Sequence, residues 1–159
     1  MPGNNPLYYW DTCLFLAWLN DESRKSGEMD GVREVIERLQ KRDCRIMTSV
    51  LTSVEVLHGN IPAGVDTMFN GLLMRISRIG MDTKIAQLAH DIRNHYWKEG
   101  RSFKPPDVIH LATAILHRAD EFHTFDTQLL GLSGNVAGHG LPICSPVARN
   151  PQLDLRRDR

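Results

Sequence analysis

The stretch LYYWDTCLFLAWL, residues 7–19, decides how this chain is built. Residues 7–10 are a short apolar and aromatic run that stops at Asp11, and over residues 12–19 apolar side chains return at helical spacing. That pattern predicts a buried strand running directly into a helix, with an acid at the junction. Residues 31–42 follow suit: Val32, Val35, Ile36 and Leu39 share one helical face, while Arg33, Glu34, Glu37 and Arg38 share the other. Residues 45–49 then predict a second strand. Thr52-Ser53-Val54-Glu55 has the spacing of a capping box, which would start a helix ending near Gly59.

Beyond Ile61-Pro62-Ala63-Gly64 the alternation continues. Residues 66–74 predict a helix and residues 76–80 a third strand. Asp82 and Thr83 cap a helix over 84–98 whose inner face is Ile85, Leu88, Ala89, Ile92 and Tyr96. Pro105 and Pro106 suit a helix start, ahead of Val108, Leu111, Ala112, Ile115 and Leu116 at helical spacing through residue 118. Residues 121–125 read as a fourth strand ending at Asp126, residues 131–140 as a loop, and residues 141–144 as an edge strand. Strands alternating with helices predict an α/β fold, a three-layer α/β/α sandwich around a mainly parallel central sheet. Residues 1–147 are expected to form one domain, with the polar, proline-broken residues 148–159 as a flexible tail.

The 159 residues carry 19 basic and 19 acidic side chains, so the chain has no net charge with which to attract a polyanion. Any nucleic-acid contact must come from a local patch. Cys13, Cys44 and Cys144 are far apart and in no C-x-x-C pattern, which argues against a disulfide framework and against a structural zinc site. Residues 1–6 lack the basic start of a secretory signal, and no segment reaches the roughly 20 apolar residues of a membrane span. A cytoplasmic location is expected.

In open parallel sheets the functional crevice lies beyond the carboxyl ends of the strands. Asp11 directly follows the first strand, Glu55 lies in the turn after the second, and Asp126 directly follows the fourth. Asp107 starts the helix that feeds the fourth strand. Each acid also has a purely structural reading: Asp11 and Asp107 as helix N-caps, Glu55 as the end of a capping box, Asp126 as the cap of a helix over 127–130. Their convergence is harder to explain that way. Crowded carboxylates repel one another and cost stability unless a cation compensates. An all-oxygen ligand set selects a hard ion, Mg²⁺ or Mn²⁺, and such an ion can activate water against a phosphodiester.

The runs Tyr9-Trp10-Asp11-Thr12, Thr52-Ser53-Val54-Glu55, Pro106-Asp107-Val108-Ile109-His110-Leu111-Ala112-Thr113-Ala114 and Thr124-Phe125-Asp126 resemble, in order and spacing, the successive acidic motifs of PIN domains. The resemblance extends over residues 7–144. It implies a metal-dependent endoribonuclease, most often the VapC-type toxin of a bacterial toxin–antitoxin pair, with Asp11, Glu55, Asp107 and Asp126 as its catalytic and metal-binding acids. Thr12 and Thr124 match positions that often carry a hydroxyl, which can hold a metal water or orient a neighbouring carboxylate; both are also ordinary turn residues, and for Thr124 that structural role is the expectation. The last motif here is a short Thr-Phe-Asp form, unlike the longer spacing of many members. The family also implies a cognate antitoxin and a homodimer.

Around this framework, Arg93, Lys98, Arg101 and Lys104 form a basic cluster before Asp107 that can hold RNA phosphates, and equally reads as a solvated face. Trp97 and Phe103 lie among them and could stack on unpaired bases. His110 and His58 sit one turn past Asp107 and Glu55 and read foremost as core-covering side chains. Met68, Phe69, Leu72 and Leu73 form either part of a partner groove or core. Two other readings compete. A PIN-like module could bind RNA or a partner without cutting. A haloacid-dehalogenase-like phosphotransferase also closes its first strand on an aspartate, but Cys13 occupies the place of its second aspartate. No glycine-rich phosphate loop follows any predicted strand.

Overall fold

The computed structural model describes residues 5–20, 27–56, 59 and 62–148. Strand β1 (Leu7–Trp10) leads into α1 (Thr12–Leu19) and α2 (Glu28–Gln40), and β2 (Arg45–Ser49) into α3 (Leu51–Val56) and α4 (Val65–Leu73). After β3 (Ser77–Ile79) come α5 (Thr83–Lys98) and α6 (Pro105–Leu116), then β4 (Glu121–His123), α7 (Thr127–Leu130) and β5 (Ile143–Cys144). The sheet order is β3-β2-β1-β4-β5, and every neighbouring pair is parallel. The fold is the expected α/β/α sandwich, with a sheet that is wholly parallel among the described residues.

A parallel sheet must be covered on both faces, and the strand alternation here supplies both. Tyr8 and Trp10 face one way, into a core with Leu14 and Phe15 of α1, Val32 and Val35 of α2 and Phe69 of α4. Tyr9 and Met47 face the other, into a core with Ile85 and Ile92 of α5 and Leu111 of α6. Trp10, Tyr9, Phe15, Phe69 and Phe122 are fully buried. Side chains of this size contribute on the order of 2–3 kcal/mol each when removed from water, so these two layers dominate the stability of strands that are very short.

One close approach fixes how α2 meets the last described strand region. A Cβ on Gly31 would lie 2.1 Å from the Pro146 carbonyl oxygen and 2.4 Å from its carbon, both backbone atoms that cannot swing aside. Gly31→Ala is therefore expected to cost about 2–3 kcal/mol through displaced backbone, read as a fall in the denaturation midpoint. An unchanged midpoint would show that the α2 contact is not as tight as described.

Several elements depart from their sequence limits. Helix α2 begins at Glu28, ahead of the expected Gly31, behind Gly27 in the left-handed region at φ 74°. Helix α6 begins at Pro105, with both prolines in its first turn, where a missing N–H costs nothing. The capping box does not form. The Leu51 N–H donates to Ser49 Oγ at 3.1 Å, α3 starts at Leu51, two residues ahead of the start that a Thr52 cap requires, and Thr52 is buried with its hydroxyl 2.7 Å from that of Thr48. Glu55 is thus carried on the last turn of α3 instead of capping its first. Phe69, Leu72 and Leu73 are core, which leaves Met68 as the exposed member of that stretch. His58 and residues 149–159 lie outside the described residues.

Candidate metal centre

Strand β1 delivers Asp11 directly, whereas β4 ends at His123, short of the expected residue 125, and Thr124 and Phe125 intervene before Asp126. Asp11 caps α1 and is only 6 % exposed. Its Oδ1 accepts the Cys13 N–H at 3.1 Å and the Cys13 thiol at 2.7 Å, and its Oδ2 accepts the Thr124 hydroxyl at 2.5 Å. Burial raises the Asp11 pKa, and the hydrogen bonds from Cys13 and Thr124 pull back against it. Burial and the Asp11 charge push the Cys13 thiol up to about 12, so it stays protonated as a donor. The Thr124 hydroxyl also accepts the Asp126 N–H at 3.0 Å. Of the two readings of Thr124, its contacts are those of a hydroxyl orienting a carboxylate: it links the two acids, giving its proton to Asp11 and accepting the Asp126 amide.

Asp126 caps α7, its Oδ1 accepting from the N–H groups of Gln128 at 2.8 Å and Leu129 at 3.3 Å. Asp107 is not a cap, contrary to its sequence reading. Lys104 holds the N-cap position of α6, and Asp107 sits in the first helical turn behind the two prolines. Among the described residues no hydrogen bond reaches its carboxylate. Burial raises its pKa first, the Asp126 charge next, then Asp11 and Glu55, while His110 acts in the opposite sense. A half-buried carboxylate in the field of three others, with no donor to hold it, is what a cation site looks like before the cation's charge is counted.

Glu55 is held differently. Its Oε1 accepts the Thr12 hydroxyl at 2.8 Å and His110 Nε2 at 2.7 Å. Burial alone would raise its pKa, but the hydrogen bonds of His110 and Thr12 bring it below the ordinary carboxylate value. His110 is 3 % exposed and its Nδ1 lies 2.5 Å from the Tyr9 hydroxyl, which itself accepts the Ser49 N–H at 3.1 Å. Burial raises the Tyr9 pKa, so the phenol keeps its proton and can give it to Nδ1 of a neutral ring. Nε2 then carries the ring proton and points it at Glu55. His110 is thus core-buried, as read from its apolar neighbours, and also a positioning residue for Glu55; its register with Tyr9 across the sheet was not visible in the sequence. Nitrogen NMR should find His110 as the Nε2–H tautomer. In Tyr9→Phe the Ser49 amide loses its acceptor, at a cost of about 1–3 kcal/mol, and the tautomer preference relaxes. An Nδ1–H tautomer in the unaltered protein would contradict this network.

The four acids share one end of the sheet without closing into a tight cage, for no three of them bring oxygens within 4.8 Å of one another. Glu121, His123 and Cys144 do, among the described residues. That group is knit together by protons. The Trp10 indole N–H, which can only donate, meets His123 Nδ1 at 3.1 Å, so Nε2 carries the ring proton and gives it to Glu121 Oε2 at 2.8 Å. The Cys144 thiol, pushed up to about 11 by burial and Glu121, donates to the same oxygen at 3.7 Å. With Nδ1 occupied and Nε2 protonated, the ring has no lone pair for an ion.

The basic cluster is exposed, as a substrate contact requires, but two members also serve the fold. Arg93 Nε donates to the Phe103 carbonyl at 3.2 Å, and the Arg101 guanidinium lies 5.2 Å over the Tyr96 ring. Phe103 is buried against Tyr96 and cannot stack on a base; Trp97, at 68 % exposure, can.

A wholly parallel α/β sandwich with acids gathered at the carboxyl ends of its strands is the layout of a PIN domain. The chain belongs to that family: the PIN domain model matches residues 8–134, a span that includes Asp11, Glu55, Asp107 and Asp126. PIN domains are generally nucleases and typically use divalent metals. Among solved structures, the chain is similar to a VapBC2 complex of Rickettsia felis bound to promoter DNA, with TM-score 0.67, 16% identity, and coverage of 86% of this chain and 98% of that one. It is also similar to a toxin–antitoxin complex from Klebsiella pneumoniae, with TM-score 0.63, 22% identity and coverage of 88% and 98%. FitAcB from Neisseria gonorrhoeae matches with TM-score 0.58, 19% identity and coverage of 76% and 88%. At these identities the likeness is one of fold. No curated protein sequence matches the chain. Among the described residues no helix is long and apolar enough to cross a membrane.

Proposed function

We propose that the chain is a Mg²⁺- or Mn²⁺-dependent endoribonuclease that hydrolyses phosphodiester bonds of single-stranded RNA, acting as the toxin of a toxin–antitoxin pair. The observation that carries this reading is Asp107: a half-buried carboxylate raised by burial and by Asp126, Asp11 and Glu55, with no described hydrogen-bond donor. In this reading Asp11, Glu55, Asp107 and Asp126 hold the ion in part through the waters that such an ion keeps, because no three of them bring oxygens within 4.8 Å of one another. When bound, the ion would lower the pKa of a water and polarise the phosphoryl group. The chain's residues keep the ligands in place: Cys13 and Thr124 fix both oxygens of Asp11, while Thr12 and His110 fix Glu55. Lys104, at the start of the helix that carries Asp107, leads the basic cluster with Arg93, Lys98 and Arg101 in holding phosphates, and Trp97 is left to stack on a base.

The similarity to a toxin–antitoxin complex from Klebsiella pneumoniae supports an antitoxin partner. Its basic side chain, placed among the four carboxylates, would exclude the ion and block the RNA path. Two chains paired as a homodimer would let two basic clusters track one strand, which offsets the absent net charge. The purified chain incubated with single-stranded RNA should cleave it with Mg²⁺ or Mn²⁺ and stop on addition of EDTA. Cleavage that survives complete chelation, or none with either ion, would overturn the proposal.

A further inference from the structure

Away from the acidic crevice, where Arg45 opens β2, the protein has a cavity of about 460 Å³. Arg42, Arg45 and Arg75 line it beside the partly buried Leu7 and Ile79, and no described carboxylate lines it. Arg45 is committed in part, with Nε and Nη2 donating to the Asn5 carbonyl at 3.3 and 3.0 Å. The guanidinium groups of Arg42 and Arg75 have no hydrogen-bond or ion-pair partner among the described residues.

Arg42 also stands against the preference of its own backbone. It follows the C-terminus of α2 with φ at 62°, in the left-handed region where glycine is the usual residue. The turn itself is closed by main-chain bonds, Arg42 N–H to the Leu39 carbonyl at 3.1 Å and Asp43 N–H to the Arg38 carbonyl at 2.8 Å. Nothing in that turn needs an arginine side chain. Arg118 holds the same left-handed position after α6 with φ at 57°, so charge complementing the helix dipole accounts for an arginine at such a turn; what sets Arg42 apart is the cavity that it lines with Arg75.

We propose that this cavity binds a nucleotide: Arg42 and Arg75 clamp its phosphate, and the partly buried side chains of Leu7 and Ile79 take its base. Guanidinium groups match phosphate oxygens with paired N–H donors. A cavity of a few hundred Å³ with apolar walls and a few converging polar groups is the ordinary form of a small-ligand site. The apolar wall beside the clamp is what selects a nucleotide over bare phosphate. The ligand is a free nucleotide or the phosphorylated end of an RNA strand. The site stands apart from the acidic centre and does not depend on the reading of it.

Calorimetric titration of the full chain in EDTA, so that no metal at the acidic centre recruits phosphate, tests this with three probes: inorganic phosphate, a nucleoside 5′-monophosphate and a 5′-phosphorylated oligoribonucleotide. The mononucleotide should saturate one site per chain, at least about tenfold more tightly than phosphate. Arg42→Gly and Arg75→Gln should each weaken it by at least about tenfold, the loss expected of one charged hydrogen-bonding group. Arg42→Gly should melt no lower than the unaltered protein, because glycine accepts the left-handed backbone, and it should leave RNA cleavage unchanged. An oligonucleotide that binds as tightly as the mononucleotide identifies a strand end, and one that binds tenfold more weakly identifies the free nucleotide. No saturation by the mononucleotide, equal affinity for phosphate, or affinity unchanged in both variants would overturn the proposal.

Discussion

Asp107→Asn is expected to lower RNA cleavage by about 10²–10³-fold while making the metal-free protein more stable. The activity loss follows from removing one ligand charge from a centre whose ion stabilises the transition state by several kcal/mol, at about 1.4 kcal/mol per tenfold. The gain in stability follows from the same carboxylate's position. Asp107 accepts no hydrogen bond from a described residue and is raised by burial and by Asp126, Asp11 and Glu55, so in the absence of an ion its charge is a burden. Asparagine keeps the shape and removes the repulsion. Asp11→Asn should behave differently, because both Asp11 oxygens accept hydrogen bonds, from Cys13 and from Thr124, and an amide nitrogen cannot accept. The paired measurement is cleavage rate and melting temperature in EDTA for both variants. Loss of activity with a gain in stability in Asp107→Asn, and loss of both in Asp11→Asn, is expected. A destabilised Asp107→Asn would show that this acid is structural.

The second large effect is the response to the ion itself. Mn²⁺ at about one hundred times its Kd should stabilise the protein by about 2.7 kcal/mol. For a chain of this size that corresponds to a rise of roughly 5–10 °C in Tm. The rise should vanish in Asp107→Asn. Its pH dependence follows from the shifts. Asp11 and Asp107 have folded pKa values raised above the unfolded ones, so their contribution to metal-free stability is fully present below the ordinary carboxylate value and is lost as pH rises through the raised values. Glu55 has a lowered value and contributes in the opposite sense, present above the ordinary carboxylate value and lost as pH falls through its folded pKa. With two raised groups against one lowered, the metal-free protein should gain from mild acidity just above the ordinary carboxylate range. Bound metal should reverse that trend, since protons and the ion compete for the same oxygens. A metal-induced rise that is unchanged down to pH 4 would contradict a carboxylate site.

The legible parts of this molecule are those carried by periodicity and by junctions. Residues 7–19 gave a strand ending on an acid and a helix behind it, and β1, Asp11 and α1 follow that reading residue for residue. The alternation of strands and helices led to a parallel sandwich because parallel strands need helical crossovers. What escaped was settled by partners distant in sequence. Thr52 and Glu55 fit a capping box, yet the Ser49 hydroxyl accepts the Leu51 N–H at an earlier helix start and Thr52 is buried against the Thr48 hydroxyl. Phe103 sits in a basic loop but is buried against Tyr96 of α5. His110 contacts Tyr9 across 101 residues and Glu55 across 55, and Thr124 reaches Asp11 across 113. No local pattern encodes such pairings; they exist only once β1, β2 and β4 lie side by side.

The measurement that bears most directly on the acidic centre is anomalous X-ray scattering from crystals of the protein grown with Mn²⁺. An ion coordinated by Asp107 together with carboxylate oxygens of Asp11, Asp126 or Glu55 is the expected result. Manganese at Glu121, His123 and Cys144, or no ordered manganese beside Asp107 at saturating concentration, would contradict the account.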